Sequence, residues 1–234
     1  RGVRSMSVFR NDTDREAYLK LLAEQGARFG VKYLAWCLMS NHVHLVAIPA
    51  DKEALALGIG EAHRRYTRMR NFGEGVRGYL FQGRFMSCVL SEKHLLAATR
   101  YTEKNPVRAG MVQHPEEYKW SSARFHLGLS EADPLVKDGT LLGLVGKGDW
   151  AKFLSVEDKE TEDRLRLLTR TGRPAGVTVW DRGPTNVARA TRLWFLPNAP
   201  PEEVRAFGLT AGRIRDIGSA RGRPLDIVAD PLDP

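Results

Sequence analysis

Cysteine is scarce in this sequence, which has 234 residues and only two cysteines, Cys37 and Cys88. Each lies in an apolar stretch, so we expect two buried free thiols rather than a disulfide framework, as in a reducing cytosol. Long hydrophobic runs are also missing, because no stretch stays apolar for the length that a bilayer requires. No secretory signal is visible either. These absences predict a cytoplasmic protein.

Acidic residues are outnumbered by basic ones, with 28 Asp and Glu against 36 Lys and Arg, a formal net charge of +8 and a pI of about 9.7. Such an excess favours a polyanionic partner, either a nucleic acid or, less often, an acidic membrane surface. The alternative is a basic protein without such a partner. Hydrophobic residues make up 42% and charged residues 27%, as in ordinary globular domains.

Hydrophobic periodicity predicts an α+β order of elements within residues 1–130. A helix is expected near Thr13, which has capping-box spacing with Glu16. Two β-rich runs, 31–38 and 42–48, follow as a hairpin. The pattern then predicts a helix over 51–71, a strand over 84–90, and a third helix that begins after Ser91 and is limited by Pro106.

The pattern weakens beyond residue 130, which divides the chain into three predicted parts. Residues 1–130 form a first domain, 131–176 a helical extension and 177–234 a divergent, loosely structured tail, since Gly and Pro recur there while periodicity fades. The tail carries an RGRP segment at 221–224. Such a segment can place two arginines in an A·T-rich minor groove, but it is more typical of an unstructured basic turn.

Two histidines separated by one residue, His42 and His44, are the sharpest feature of the sequence. Side chains alternate between the faces of a strand, so both imidazoles project the same way while Val43 and Leu45 point to the opposite, core side. Two adjacent imidazoles provide a bidentate site for a divalent cation. The alternative is a histidine pair on a half-exposed strand that binds no metal.

Tyr101 and Asn105 form the second feature, because four residues on a helix separate them by one turn and keep them on one face. The amide oxygen of Asn105 suits a hard cation such as Mg²⁺ or Mn²⁺. A cation nearby assists a tyrosine nucleophile, whose ordinary pKa near 10 makes it weak at neutral pH. The alternatives are a core tyrosine at a helix end, or Tyr66 as the nucleophile, although Tyr66 lies in an apolar stripe.

Arginines and aromatic residues alternate between His63 and Phe85. Arginines bind phosphates and exposed aromatic rings stack on bases of single strands. The region also carries Tyr79 and Phe81, and we assign Tyr66 and Phe85 to the core rather than to base stacking. The arginines that we expect to contact DNA are Arg64, Arg65, Arg68, Arg70, Arg84 and Arg108.

Five spaced segments occur in a familiar order: LAWCLMSNHVHLVAIP, HRRYTRMRN, GYLFQGRFMSCVL, YTEKNPVRAGMV and EEYKWSSARFHLG. Together they resemble the REP-associated tyrosine transposases, which belong to the bacterial single-tyrosine, His-hydrophobe-His transposases of the insertion-sequence-200-like superfamily. The resemblance covers about residues 1–130 and extends more loosely to Gly176.

This resemblance implies a ferredoxin- or RRM-like α+β fold, with an antiparallel sheet, helices on one face and a C-terminal helical or irregular tail. It implies that His42, His44 and Asn105 hold Mg²⁺ or Mn²⁺. It also implies that Tyr101 attacks a phosphodiester in hairpin-forming single-stranded DNA, leaving a 5′-phosphotyrosine and a free 3′-OH. A bacterial, nucleoid-associated transposase that acts as a monomer or homodimer is the expected protein, with no membrane partner.

Two departures from the family pattern keep other functions open. Most of an N-terminal strand is expected to be missing before Arg1, and residues 177–234 do not resemble the family's C-terminus. The chain could therefore be a derived protein that binds DNA hairpins without cutting them. A metal hydrolase unrelated to DNA is a third hypothesis, but it needs further ligands, of which His94 is the best placed in sequence.

Overall fold

The computed structural model describes residues 1–90, 92–146, 148–171 and 225–228. These residues form an α+β fold with one antiparallel sheet, so the predicted fold class is confirmed. The strands are β1 (Val31–Leu38), β2 (Val43–Pro49), β3 (Ser87–Leu90) and β4 (Leu225–Val228). The helices are α1 (Asp12–Phe29), α2 (Ala54–Glu74), α3 (Glu92–Glu103), α4 (Asn105–Arg108), α5 (Ala123–His126), α6 (Thr140–Val145), α7 (Trp150–Ser155) and α8 (Lys159–Thr171).

Helix α1 begins two residues before the expected capping box. Asn11 is the N-cap, since its backbone is extended and its side-chain oxygen accepts a hydrogen bond from the amide of Asp14 at 3.0 Å. Thr13 is therefore inside the helix and not its cap. The helix ends at Gly30, whose φ of 71° lies in the left-handed region that glycine adopts without strain.

Strands β1 and β2 form the expected hairpin, and both of their faces are buried. Val43, Leu45 and Ala47 pack in one core with α1 and α2, whereas Val46 and Ile48 pack in another with α3 and α7. Helices thus cover both faces of the sheet, which corrects the expectation of helices on one face. The reason is that β2 is apolar at positions of both parities, as in a strand buried on both sides.

Strand β4 comes from the segment that the sequence predicts to be a loose tail. It lies between β2 and β3 in the strand order β1-β2-β4-β3 and pairs antiparallel with both neighbours. The RGRP segment at 221–224 lies outside the described residues. The domain boundaries at residues 130 and 176 remain a prediction.

A buried ion pair joins α1 to α2. Nη1 of Arg70 lies 2.6 Å from a carboxylate oxygen of Asp14 and also donates to the carbonyl of Val8, and both charged side chains are buried. Burial opposes ionisation of Asp14, but hydrogen bonds from Arg10 and the charge of Arg70 outweigh it and lower the pKa of this carboxyl. The pair therefore holds α1 and α2 together in its ionised form.

Removing one partner of this pair is expected to be costly, because the other charge stays buried. Asp14→Asn should lower the free energy of unfolding by about 3–5 kcal/mol, measured by urea denaturation at neutral pH. Asp163→Asn is the matched control, since Asp163 pairs with Arg166 on the surface and exposed pairs contribute less than about 1 kcal/mol. Equal effects of the two substitutions would contradict this account.

The difference in free energy of unfolding between the wild type and Asp14→Asn should disappear as the pH falls through the lowered pKa of Asp14.

Candidate active site

Four polar side chains from separate parts of the chain meet on the side of the sheet that faces α3. The rings of His42 and His44 lie 4.8 Å apart, centre to centre, and the ring of Tyr101 lies 5.6 Å from that of His44. Nδ2 of Asn105 lies 2.7 Å from Nε2 of His44. The sequence alternation that directs Val43 and Leu45 into the opposite core therefore directs His44 to this cluster.

The contact with Asn105 depends on a break between two helices. Helix α3 ends at Glu103, and Asn105 opens α4 with Pro106 in its first turn. Tyr101 and Asn105 are thus on consecutive helices and not on one, because proline at position 106 disfavours a continuous hydrogen-bonded helix there. The break still leaves both side chains beside His44.

Burial keeps His44 neutral. The side chain is fully buried, and this desolvation, together with the positive charges of His42 when protonated, Arg108, the N-terminus and Arg166, lowers the pKa of His44 well below its ordinary value. Its Nδ1 is buried without a hydrogen-bond partner among the described residues. A neutral imidazole is the form that ligates metals.

The donor set fits a divalent cation. Two imidazoles and an amide oxygen suit borderline ions such as Mn²⁺, and Mg²⁺ when phosphate oxygens complete the shell. The two ends of an amide are assigned from hydrogen bonding alone, so rotating the Asn105 amide by 180° presents its oxygen beside Nε2 of His44. No cluster of three or more His, Cys, Asp or Glu side chains suited to a metal occurs in the described part of the chain. A site that includes the two histidines therefore needs a ligand of another kind, and the Asn105 amide lies close enough to His44 to supply one.

Arg108 and α8 close this cluster from solvent. The guanidinium carbon of Arg108 lies 3.7 Å from the centre of the Tyr101 ring, and its Nη1 lies 3.4 Å from a carboxylate oxygen of Glu162 on α8. Leu165 of the same helix is buried in the core that contains Tyr101. As a result, Tyr101 is only 4% exposed. Arg108 and α8 therefore cover part of the Tyr101 side chain.

The arginines expected to contact DNA have different surroundings. Arg64 and Arg65 both bind Glu61 on the surface of α2, and their hydrogen bonds lower the pKa of Glu61 to about 2. Arg68 and Arg84 are exposed. Arg70 is committed to the buried pair described above, so the expectation that it contacts DNA is corrected. The physical reason is that the core around Val8 and Asp14 needs its positive charge.

The rival tyrosine, Tyr66, is part of the core between α1 and α2. It is fully buried and its hydroxyl donates to the carbonyl of Val8 at 2.9 Å. Burial raises its pKa, which disfavours the phenolate. His94 is buried on α3, as His42 and His44 are in their cluster. These observations leave Tyr101 as the tyrosine beside the histidine pair.

Glu103 is a buried residue that the sequence interpretation did not single out. Its carboxylate accepts hydrogen bonds from Ser122 Oγ at 2.6 Å and from Trp150 Nε1 at 2.8 Å, and it lies 2.6 Å from Nδ1 of His126. The signal in the sequence is that this helix is rich in polar residues. Its described side chains are almost all buried in the structure, and buried polar groups require partners. Glu103 fixes the end of α3 between Tyr101 and Asn105.

Glu103→Ala is expected to lower the free energy of unfolding by about 3–5 kcal/mol, because three polar partners lose their shared acceptor inside the protein. Thermal denaturation followed by circular dichroism measures the effect. Glu131→Ala is the control, since Glu131 is exposed and should change stability by less than about 0.5 kcal/mol. A Glu103→Ala protein as stable as this control would contradict the structural role of the carboxylate.

Comparison with known proteins found a family that resembles the N-terminal part of the chain. Residues 4–105 match the family model described as "Transposase IS200 like", a segment that includes His42, His44, Tyr101 and Asn105. No curated protein and no solved structure matches the chain. No helix among the described residues is long and apolar enough to span a membrane. Transposases of this family act on DNA and generally use a divalent metal. Residues 4–105 are therefore similar to the IS200-like transposases.

Proposed function

We propose that this protein cuts and rejoins single-stranded, hairpin-forming DNA through a covalent bond to Tyr101. The observation that carries the proposal is the meeting of the His42, His44 and Tyr101 rings with the Asn105 amide in one cluster. A phenol beside two imidazoles and an amide has the composition of a metal-assisted nucleophilic site. The arginine excess of the chain suits a DNA partner.

The proposed reaction is a phosphoryl transfer without net loss of a high-energy bond. The Tyr101 oxygen loses its proton and attacks phosphorus, an O–P bond forms to the tyrosine, and the bond from phosphorus to the 3′ oxygen breaks. The products are a 5′-phosphotyrosine and a free 3′-OH, which takes up a proton. Rejoining reverses these steps with the same or another 3′-OH, so no nucleotide cofactor is needed.

His42, His44 and Asn105 would hold the divalent ion, Mg²⁺ or Mn²⁺. When bound there, such an ion polarises a phosphate oxygen and offsets the negative charge that develops during attack. The low pKa of His44 ensures that its imidazole is neutral and able to ligate at physiological pH. The hydrogen-bond contact of Asn105 with His44 orients both groups toward the same point.

Arg108, which lies over the Tyr101 ring, has two proposed roles: it pairs with Glu162 when DNA is absent, and it binds a phosphate when DNA enters. In the closed structure its charge is balanced by Glu162. When DNA enters, the guanidinium is well placed to exchange this carboxylate for a phosphate, which arginine binds with two parallel hydrogen bonds. Replacement of the Glu162 carboxylate by a DNA phosphate releases the contact between Arg108 and α8, so substrate binding favours movement of this helix.

Tyr101→Phe should abolish covalent attachment while leaving DNA affinity unchanged, because it removes only the nucleophilic oxygen. The assay incubates the protein with a labelled single-stranded hairpin and Mn²⁺, then separates covalent adducts by denaturing electrophoresis. Tyr66→Phe is the matched control, since it removes a hydroxyl from the core tyrosine. It should retain attachment.

Undiminished cleavage by Tyr101→Phe would show that another group is the nucleophile. A hairpin shift with wild-type protein but no covalent product in Mg²⁺ or Mn²⁺ would instead support the alternative, a hairpin-binding protein that does not cut. The two results are distinguishable because binding is measured separately, by native electrophoresis of the same samples.

His44→Ala should weaken Mn²⁺ binding by more than about 100-fold, since even residues that only orient a ligand contribute about 10- to 100-fold. Isothermal titration calorimetry of the protein without DNA measures the affinity, and the nicking assay measures the consequence. His114→Ala is the control, because His114 is an exposed histidine outside the cluster. Equal Mn²⁺ affinity in both variants would contradict the proposed ligand set.

A further inference from the structure

Two aromatic side chains near the end of α2 face solvent. Phe72 is 90% exposed and Tyr79 is 89% exposed, whereas no other Phe, Tyr or Trp of the described residues is among the exposed large hydrophobic side chains. The sequence interpretation counted Tyr79 among the aromatic residues that alternate with arginines and did not consider Phe72. Exposed apolar patches rimmed by polar residues mark interaction sites on protein surfaces. They therefore call for a ligand with flat apolar faces.

The loop that carries Tyr79 is anchored at both ends. The side chain of Asn71 donates to the carbonyl of Gly78 at 2.8 Å, which brings the residues next to Phe72 and Tyr79 together. Beyond Tyr79, Phe81 is buried and stacks on His63, with ring centres 4.1 Å apart and an angle of 12° between the rings. The backbone under both exposed rings is thus fixed, so a ligand that stacks on them loses little entropy in ordering the protein.

Three arginines without an ion pair in the described structure surround these rings in sequence. Arg68 lies on α2 one turn before Phe72, and Arg77 and Arg84 lie on either side of Tyr79; all three are exposed. The acidic residue of the same stretch, Glu74, is already bound by Arg10 and Arg70. The net charge around the two rings is therefore positive, which suits phosphate groups.

The N-terminal segment links this loop to the candidate active site. The amide of Gly2 donates to the carbonyl of Asn41, next to His42, and Gly2 also forms an antiparallel bridge with Phe81. Two bridge spacings separate the backbones of Asn41 and Phe81, a distance of about 10 Å. A nucleic acid strand of a few nucleotides can extend over this distance.

We propose that Phe72 and Tyr79, with Arg68, Arg77 and Arg84, form a surface on which unpaired bases of single-stranded DNA stack. This inference rests on the proposed function for its choice of DNA as the partner. Stacking on a protein ring requires a base whose face is free, which a duplex does not offer within its stack, and the arginines match the phosphates that connect such bases. We call these five residues the stacking surface.

Removal of either ring should weaken binding of single-stranded DNA. Tyr79→Ala and Phe72→Ala should each raise the Kd for a labelled oligothymidine by about 5-fold to 150-fold, since stacking contributes about 1–3 kcal/mol per base. Tyr79→Phe keeps the ring and should bind as the wild type does. Leu129→Ala, which shortens an exposed apolar side chain elsewhere, should have no effect. Fluorescence anisotropy at fixed salt measures each Kd.

The nature of the contact is tested with 2-aminopurine in place of one thymidine, because its fluorescence is quenched when it stacks on an aromatic ring. Quenching by wild type and Tyr79→Phe, reduced in the two alanine variants, supports the stacking surface. A blunt duplex of the same length should bind all variants equally, since its affinity comes from phosphate contacts. Unchanged oligothymidine affinity in both alanine variants would overturn the inference, as would an equal loss of duplex affinity, which is the result expected for a general change in the protein.

Failure of this inference is distinguishable from failure of the proposed function. Covalent attachment that depends on Tyr101, combined with normal oligothymidine binding by both alanine variants, overturns the stacking surface alone. Oligothymidine binding that is weakened in both alanine variants, together with no covalent product on the hairpin DNA, supports the stacking surface and contradicts cleavage. Because both side chains are exposed, the variants should unfold at the wild-type temperature, and this measurement excludes misfolding as the cause of a lost affinity.

Discussion

The pairing of β1 with β2, buried on both faces, is the constraint on which the candidate site depends. Strand side chains alternate, so anchoring Val43 and Leu45 in the core under α1 and α2 leaves His44 facing α3. A shift of one residue in this register would exchange the two sets and bury the imidazole among apolar side chains. The packing of two hydrophobic cores thus fixes the orientation of a polar cluster that lies between them.

The second constraint is the high burial of α3, which places polar groups where water cannot reach them. Thr99, Arg100, Thr102 and Glu103 are all buried together with Tyr101. Each such group needs a partner inside the protein, and the bonds of Glu103 to Ser122 and Trp150 supply that for the helix end. A helix held in this way cannot rotate or slide easily, so the Tyr101 ring keeps its position relative to His44. The hydrogen bonds that Glu103 accepts therefore have two effects: they satisfy buried polar groups, and they hold Tyr101 in place beside His44.

Local patterns in the sequence predicted the first hairpin and the side chains that meet in the candidate site, but they missed strand β4 and the environment of several side chains. Alternation located the hairpin within one residue at most boundaries, and His42, His44, Tyr101 and Asn105 come together as their spacing indicated. The same patterns misplaced Arg70, because a helical period says which residues share a face and not which charge the facing helix carries. They also gave no sign that Tyr79 is exposed, since an aromatic residue next to buried Leu80 and Phe81 has no local signal of exposure. The burial of Arg70 and the exposure of Tyr79 both depend on packing between parts of the chain that are distant in sequence.

Tyr101 and Tyr79 have opposite environments, and this contrast orders the proposed events. Tyr101 is covered by Arg108 and α8, whereas Tyr79 is open to solvent. A strand of DNA can therefore contact the stacking surface without any rearrangement, whereas in the proposed mechanism it reaches Tyr101 by displacing the contact between Arg108 and Glu162. The free energy of binding at the open surface is then available to offset the cost of opening α8, since a ligand shifts an equilibrium only through its preference for one state. Recognition of unpaired bases would in this way precede, and favour, exposure of the nucleophile.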